Sequence, residues 1–260
     1  MIALESLLKH YPQELRGFKR NILAEYLQCR VLGYLYSGAE GAKMIFIGGT
    51  AIRLCHESLR FSEDLDFDNT GATKEGFTRS LKEISRKLSL EGYDNEADFS
   101  FKGAFRCFLR FNSIYFRYGL SGHENEKLLL QIDAEPQGVK YESETRVINR
   151  FGVFARVVVP APPVLLSMKI AALLGRRREK GRDFYDVTFL SAFTEPDYKY
   201  LKLRTGISGV EELKEALLRK TAGLNMKRIA ADVSPFLFTK SDEQRVVYFE
   251  EFVKGLRFKL

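Results

Sequence analysis

The stretch Phe46–Asp68, FIGGTAIRLCHESLRFSEDLDFD, carries the residues best suited to chemistry. Gly48 and Gly49 follow a short apolar run and let a backbone approach a ligand with no Cβ in the way. Thr50 and the amides after it open a helix whose positive end favours a phosphate. Thirteen residues separate Thr50 from Asp64. In a strand Asp64 and Asp66 point to one face, while Leu65 and Phe67 point to the other. Two neighbouring carboxylates repel each other unless a cation lies between them. Oxygen-only ligands at this spacing suit Mg²⁺ or Mn²⁺, ions that also bridge substrate phosphates. Asp133 ends the run KLLLQID. A strand there beside the Asp64 strand would gather three acids into a two-metal site for in-line displacement at phosphorus, with ions about 3.5–4 Å apart. Asp133 would then be the general base, or a ligand of the metal that activates the nucleophile. Each piece alone is common: a glycine pair before a helix, a solvated DxD edge strand, an Asp closing a strand in a turn. The order strand, GGT, helix, DxD strand, later Asp strand favours the chemical reading.

A second cluster is VLLSMKIAALLGRRREKGRDFYDV, residues 164–187. Lys169 is the only charge between Val164 and Leu174. A lone lysine in an apolar helix either reaches for the surface or meets an anion, here a nucleotide phosphate or Asp183. Asp183 and Asp186, three apart, share a helix face; Asp183 could equally cap the helix. Arg176, Arg177, Arg178, Lys180 and Arg182 form either a solvated helix end or a surface for phosphate or RNA. His10, His56 and His123 lack zinc spacing. Cys29, Cys55 and Cys107 make no CxxC pair and are expected as reduced thiols.

These groups need elements to hold them. Apolar residues at three- and four-residue spacing predict a helix over 13–36. A strand is expected at 43–47, a helix at 50–58, a strand at 64–68 and a helix at 74–90. Residues 98–118 suggest two antiparallel strands meeting near Asn112-Ser113, and further strands are expected at 127–133 and 156–159. Beyond Pro160 the pattern is helical: Pro162 to about 174, from Arg182, then 209–222, 224–232 and 241–257. The expected division is an α/β domain over 1–160 and a helical domain over 161–260.

At 260 residues the chain has room for one large domain or two small ones. With 21 Phe and 12 Tyr it has ample material for a core, which excludes disorder as the main state. Three scattered cysteines exclude a disulfide scaffold. No apolar run nears the roughly 18 residues that span a bilayer, and the N-terminus shows no signal-peptide pattern, so no membrane partner and a cytoplasmic location are expected. The net charge of +7 suits a protein that meets nucleotides or RNA.

Together IGGTAIRL, RFSEDLDF, the later strand Asp, and MKIAALLGR with KGRDFYDV resemble the AbiEii/AbiGii toxin family of nucleotidyltransferases, within the polymerase-β-like nucleotidyltransferase superfamily. The resemblance spans roughly residues 40–190; the last 70 match only in being helical. It implies an α/β (α+β) fold, with a mixed sheet flanked by helices and a C-terminal helical bundle. It also implies transfer of a nucleoside monophosphate from an NTP to an acceptor, as the toxin of a type IV toxin–antitoxin or abortive-infection system. Gly48, Gly49 and Thr50 would hold the triphosphate. Asp64, Asp66 and Asp133 would bind Mg²⁺ or Mn²⁺. Lys169 would contact nucleotide phosphates, with Arg182 and Asp183 in the nucleotide-binding motif that closes the set. Some members act on tRNA 3′ ends, so RNA, and tRNA in particular, is the expected acceptor, and a separately encoded antitoxin the expected partner. Thr50 stands where the family often has Ser, and the hydroxyl is kept. Two rivals remain: a nucleotidyltransferase acting on a small molecule such as an antibiotic, favoured by an acidic acceptor pocket, and a non-catalytic nucleic-acid-binding regulator, favoured by a missing acid.

Overall fold

A computed structural model of the protein describes residues 1–257. The last three residues of the expected helical domain lie outside the described residues. The chain divides into two compact units. The first comprises 1–57, 61–138 and 143–159; the second comprises 58–60, 139–142 and the chain from Pro160.

The first unit is a mixed α/β layer. Its helices are α1 (Leu4–Leu8), α2 (Lys19–Tyr36), α3 (Gly48–Cys55), α4 (Lys74–Leu90) and α5 (Ile114–Arg117). Its strands are β1 (Met44–Ile47), β2 (Leu65–Asn69), β3 (Asn95–Ser100), β4 (Phe105–Phe111), β5 (Leu128–Glu135), β6 (Ser143–Arg150) and β7 (Val153–Pro160). Five strands form a sheet in the order β1-β2-β5-β4-β3. β2 and β5 run parallel and the other pairs antiparallel. A parallel pair needs a long crossover, which α4 and the β3–β4 hairpin supply between them.

Alternation along these strands sorts the sheet into two faces. Leu65, Phe67, Leu130, Ile132, Cys107 and Leu109 are buried on one, against α2 and α4. On α4 the buried residues Phe77, Leu81, Ile84 and Leu88 recur at helical spacing, and the Thr73 hydroxyl caps its start by accepting from the Gly76 N–H at 3.1 Å. The other face carries Asp66, Asp133, Gln131 and Arg106. This two-sided sheet is what lifts the acids out of the core.

The structure departs from the sequence expectations at several elements. The hairpin expected near Asn112-Ser113 turns instead at 101–104, where Gly103 takes φ +84°; Asn112 and Ser113 lead into α5. Strand β6 was not expected, because its alternation is between charged and small residues, with Ile148 its only fully buried side chain. It joins β7 through Phe151 (φ +55°) and Gly152 (φ +74°), a two-residue turn whose twist matches the strands. α3 starts at Gly48, two residues before Thr50.

The second unit is helical: α6 (Pro162–Gly175), α7 (Gly181–Leu190), α8 (Tyr198–Thr205), α9 (Val210–Thr221), α10 (Met226–Val233), α11 (Gln244–Val247) and α12 (Phe249–Gly255). Pro162 and Pro163 occupy the first turn of α6, where a missing N–H costs nothing. Leu165, Leu166, Leu173, Phe184, Leu190, Leu213, Leu217 and Phe249 are buried. A Cβ on Gly181 would overlap the Ile229 carbonyl, so glycine is what lets α7 approach α10 this closely. α8 was not expected; the Asp197 carboxylate caps it by accepting from the N–H groups of Lys199 and Tyr200. The helix expected over 241–257 breaks at Tyr248 (φ −97°, ψ 26°) into α11 and α12.

Candidate active site

The antiparallel register of β1 and β2 sets Ile47 opposite Asp66, so the chain leaves β1 and enters α3 directly beside that acid. Gly48 turns there with φ +79°, a left-handed conformation that favours glycine. A Cβ at this position would overlap the Asp66 carboxylate, since it would lie 2.9 Å from Cγ and closer still to Oδ2. Gly48 is thus required for its backbone angle and for the room it leaves. The positive end of α3 starts at this carboxylate, an arrangement that favours negative charge.

Thr50 is fully buried, and its hydroxyl donates to the Asp64 carbonyl. This corrects the expectation that the hydroxyl faces an anion. The hydroxyl fastens the first turn of α3 to the entry of β2, and only the turn's backbone amides are left for a phosphate. The other end of α3 is fastened as well. Arg53 donates through Nε to Glu25 of α2 at 2.8 Å, and Glu25, 1 % exposed, also takes Arg150 at 2.9 Å and the Tyr11 hydroxyl at 2.5 Å.

Across the parallel pair β2–β5, Asp66 lies in register with Asp133. Asp64, Asp66 and Asp133 are all half-buried. Asp68, further along β2, is buried and accepts the Gln137 N–H at 2.8 Å, so it belongs to the scaffold. Arg106 stands opposite Asp133 on β4 and grips it: Nε is 2.9 Å from Oδ1, and Nη2 is 3.3 Å from Oδ2. Gln131 Nε2 donates to the same Oδ2 at 2.8 Å. The hydrogen bond and the charge of Asp133 raise the Arg106 guanidinium above its ordinary value, with smaller contributions from Glu135 and Asp64.

Among the described residues no three His, Cys, Asp or Glu side chains form a metal-holding group, and the Asp133 carboxylate is engaged by Arg106. The donor set still fits Mg²⁺ or Mn²⁺. Asp64 and Asp66 offer hard oxygens, half-exposed and beside a helix N-terminus, and Mg²⁺ is commonly held by one or two carboxylates with substrate phosphates completing its shell. Arg106 was absent from the sequence reading. The alternation Arg106, Phe108, Arg110 opposite β5 would have revealed it, had the hairpin turn been placed at 101–104.

The second unit holds the other residues singled out from sequence. Lys169 of α6 does meet an anion, but it is Asp186 at 2.8 Å and not Asp183. Asp186 lies nearly one turn further along α7 and is fully buried; Arg60 grips both its oxygens at 2.7 Å. Burial alone would raise the Asp186 carboxyl, but Arg60 and Lys169 together hold it below the usual carboxylate range. Asp183, also buried, pairs with Arg176 at 2.5 Å. It does not cap α7: that position is Lys180, and Asp183 sits in the first turn. Arg182 lies beside it, half-buried. Of the basic stretch, Arg177 and Arg178 are exposed, while Lys220 Nζ holds Glu179 at 3.1 Å and the Arg176 carbonyl at 2.6 Å. All three cysteines are free thiols, and burial pushes Cys55 and Cys107 up to about 12, far from reactivity.

A family model for the AbiEii toxin, the nucleotidyl transferase of type IV toxin–antitoxin systems, matches residues 30–245. The chain belongs to the AbiEii family. The matched span contains the glycine turn, all three acids and the Lys169–Asp186 region. Among solved structures this AbiEii member is similar to MenT4, a nucleotidyltransferase toxin from Mycobacterium tuberculosis, with a TM-score of 0.60 and 16 % identity over 99 % of this chain and 91 % of that one. It is also similar to JHP933 from Helicobacter pylori, with a TM-score of 0.53 and 17 % identity over 90 % of this chain and 91 % of the other. At such identities the likeness shows the fold, a mixed sheet flanked by helices as in nucleotidyltransferase toxins. No curated protein sequence matches the chain. The AbiEii family makes this protein a nucleotidyltransferase and the toxin of a type IV system. Among the described residues no helix is long and apolar enough to cross a membrane.

Proposed function

We propose that the protein transfers a nucleoside monophosphate from an NTP to an RNA acceptor, a tRNA 3′ end in particular, with Asp64 and Asp66 holding Mg²⁺ or Mn²⁺. The carrying observation is the placement of Asp66: Gly48 leaves room for its carboxylate at the start of α3, and Asp133 stands in register beside it. The divalent ion, when bound, supplies charge stabilisation at the reacting phosphate. The backbone amides of Gly48, Gly49 and Thr50 bind and orient the triphosphate. The acceptor hydroxyl attacks the α-phosphorus in line; the new P–O bond forms as the bond to the pyrophosphate oxygen breaks. Asp133 takes the hydroxyl proton or joins Asp64 and Asp66 in holding the ion that activates the attacking hydroxyl. Positioning and electrostatics do most of the work, as in other phosphoryl-type transfers. The proposal also carries Lys169, Arg182 and Asp183 as nucleotide-binding residues, on the strength of the motif they form.

The net charge of +7 and the exposed Arg177 and Arg178 favour a polyanionic acceptor. A separately encoded antitoxin is the expected partner, and the cytoplasm, where NTP and RNA meet, the expected place of action. The test is incubation with each labelled NTP, Mg²⁺ and total RNA. Label on RNA, lost in Asp66→Ala, is expected. Label on a small molecule or protein instead would replace the acceptor, and label on nothing with any NTP would overturn the proposal.

A further inference from the structure

Both oxygens of Asp133 are already engaged, Oδ1 by Arg106 and Oδ2 by Arg106 and Gln131. A carboxylate in that state offers little to a divalent ion, since three of its roughly four acceptor positions are taken and a guanidinium at 2.9 Å repels the ion. We propose that Arg106 is a displaceable counter-cation: it competes with the divalent metal for Asp133, yields when metal and triphosphate arrive together, and then pairs with the phosphates. This rests on the function proposed above and adds an order to it, since metal uptake becomes dependent on nucleotide.

Three features support the exchange. The pair is partly open, with the Arg106 side chain 38 % exposed and Asp133 21 %, so releasing it uncovers no buried charge. The buried Arg60–Asp186 pair, at 2 % and 0 %, has no such freedom. Arg106 is also the cation available on this part of the sheet: Arg110, two residues on and on the same face, is paired with Asp98 of β3. Lastly, guanidinium geometry matches phosphate as well as carboxylate, through the same fork of N–H donors. Arg106 also feels the nearby charges of Glu135 and Asp64, more weakly than that of Asp133.

The test measures Mn²⁺ affinity of the full chain without nucleotide, from the EPR signal of free Mn²⁺, for wild type, Arg106→Gln and Arg106→Lys. Removing the competitor should tighten Mn²⁺ binding by at least about fivefold in Arg106→Gln, while affinity for a non-hydrolysable NTP with Mn²⁺ weakens by a similar factor. Arg106→Lys keeps the charge but loses the fork, and should tighten Mn²⁺ by a smaller factor; it serves as the test should Arg106→Gln fail to fold by circular dichroism. In an Asp133→Asn background Arg106→Gln should tighten Mn²⁺ binding by clearly less than it does in the wild-type background. Equal or weaker Mn²⁺ binding in the folded Arg106 variants would overturn the proposal and leave Arg106 a mere support for Asp133. If wild type binds Mn²⁺ neither alone nor with NTP, it is the metal-dependent function that fails, and this inference with it.

Discussion

Two charged clusters in this molecule are opposite in design. On the open face of the first unit's sheet, Asp64, Asp66 and Asp133 are half-exposed, and Arg106 partners Asp133. In the helical unit, one buried carboxylate, Asp186, is enclosed by Arg60 and Lys169. The first is partly open to solvent; the second is closed off from it, with two cations around one carboxylate. Charges that stay accessible can exchange partners at little cost. A buried cluster must be complete within the fold, because any charge left alone there is expensive.

Substitutions can break that contrast. The largest expected effect is on turnover: Asp64→Ala or Asp66→Ala should reduce nucleotidyl transfer by at least about 10³-fold, with an almost unchanged melting temperature. If melting falls as far as in an Asp186 variant, the sheet acids are structural and the contrast is lost. Next comes Asp186→Ala, which strands two cations and should cost about 3–5 kcal/mol in chemical denaturation. Gly48→Ala should come third. It forces an alanine into the left-handed region, about 1–2 kcal/mol, and presses Cβ on the Asp66 carboxylate, so activity should fall further than stability does. Thr50→Val should then cost about 1–3 kcal/mol by leaving the Asp64 carbonyl without its donor, whereas Thr50→Ser should restore it.

The smallest effect is one of pH. The Asp186 carboxyl is held below its unfolded value, so its contribution is complete above about pH 4 and disappears as pH falls through the lower folded value. Stability measured by denaturation at a series of acid pH values should therefore fall more steeply in wild type than in Asp186→Asn. Equal slopes would mean that Arg60 and Lys169 do not hold this group ionised.

The parts of this arrangement that rest on local pattern were readable in advance. MIFI and LLLQID are apolar runs, and DLDFD alternates with period two; strands β1, β2 and β5 formed there, and alternation alone put Asp64 and Asp66 on one side. The pairing of β5 with β2 was a condition that the pattern of acids required and that no local residue could supply. What depends on distant partners was not readable. Nothing around Arg60 announces Asp186, 126 residues later. Nothing around Glu25 announces Arg53 and Arg150. For Lys169 the local pattern offers a nucleotide phosphate or Asp183, and only packing of α7 on α6 selects Asp186. Arg106 was lost through a misplaced turn: moving the hairpin from 112–113 to 101–104 changes which residues oppose β5.

Thr50 ties the start of α3 to Asp64 while Arg53 ties its last turn to Glu25 of α2, so α3 links the acid-bearing strand to the helix behind it. A lesion at Glu25 or Tyr11, neither of which is an acid of the sheet face, would loosen that link from behind. A host cell under pressure to survive its own poison therefore has a second way to disarm it, one that leaves Asp64, Asp66 and Asp133 unchanged.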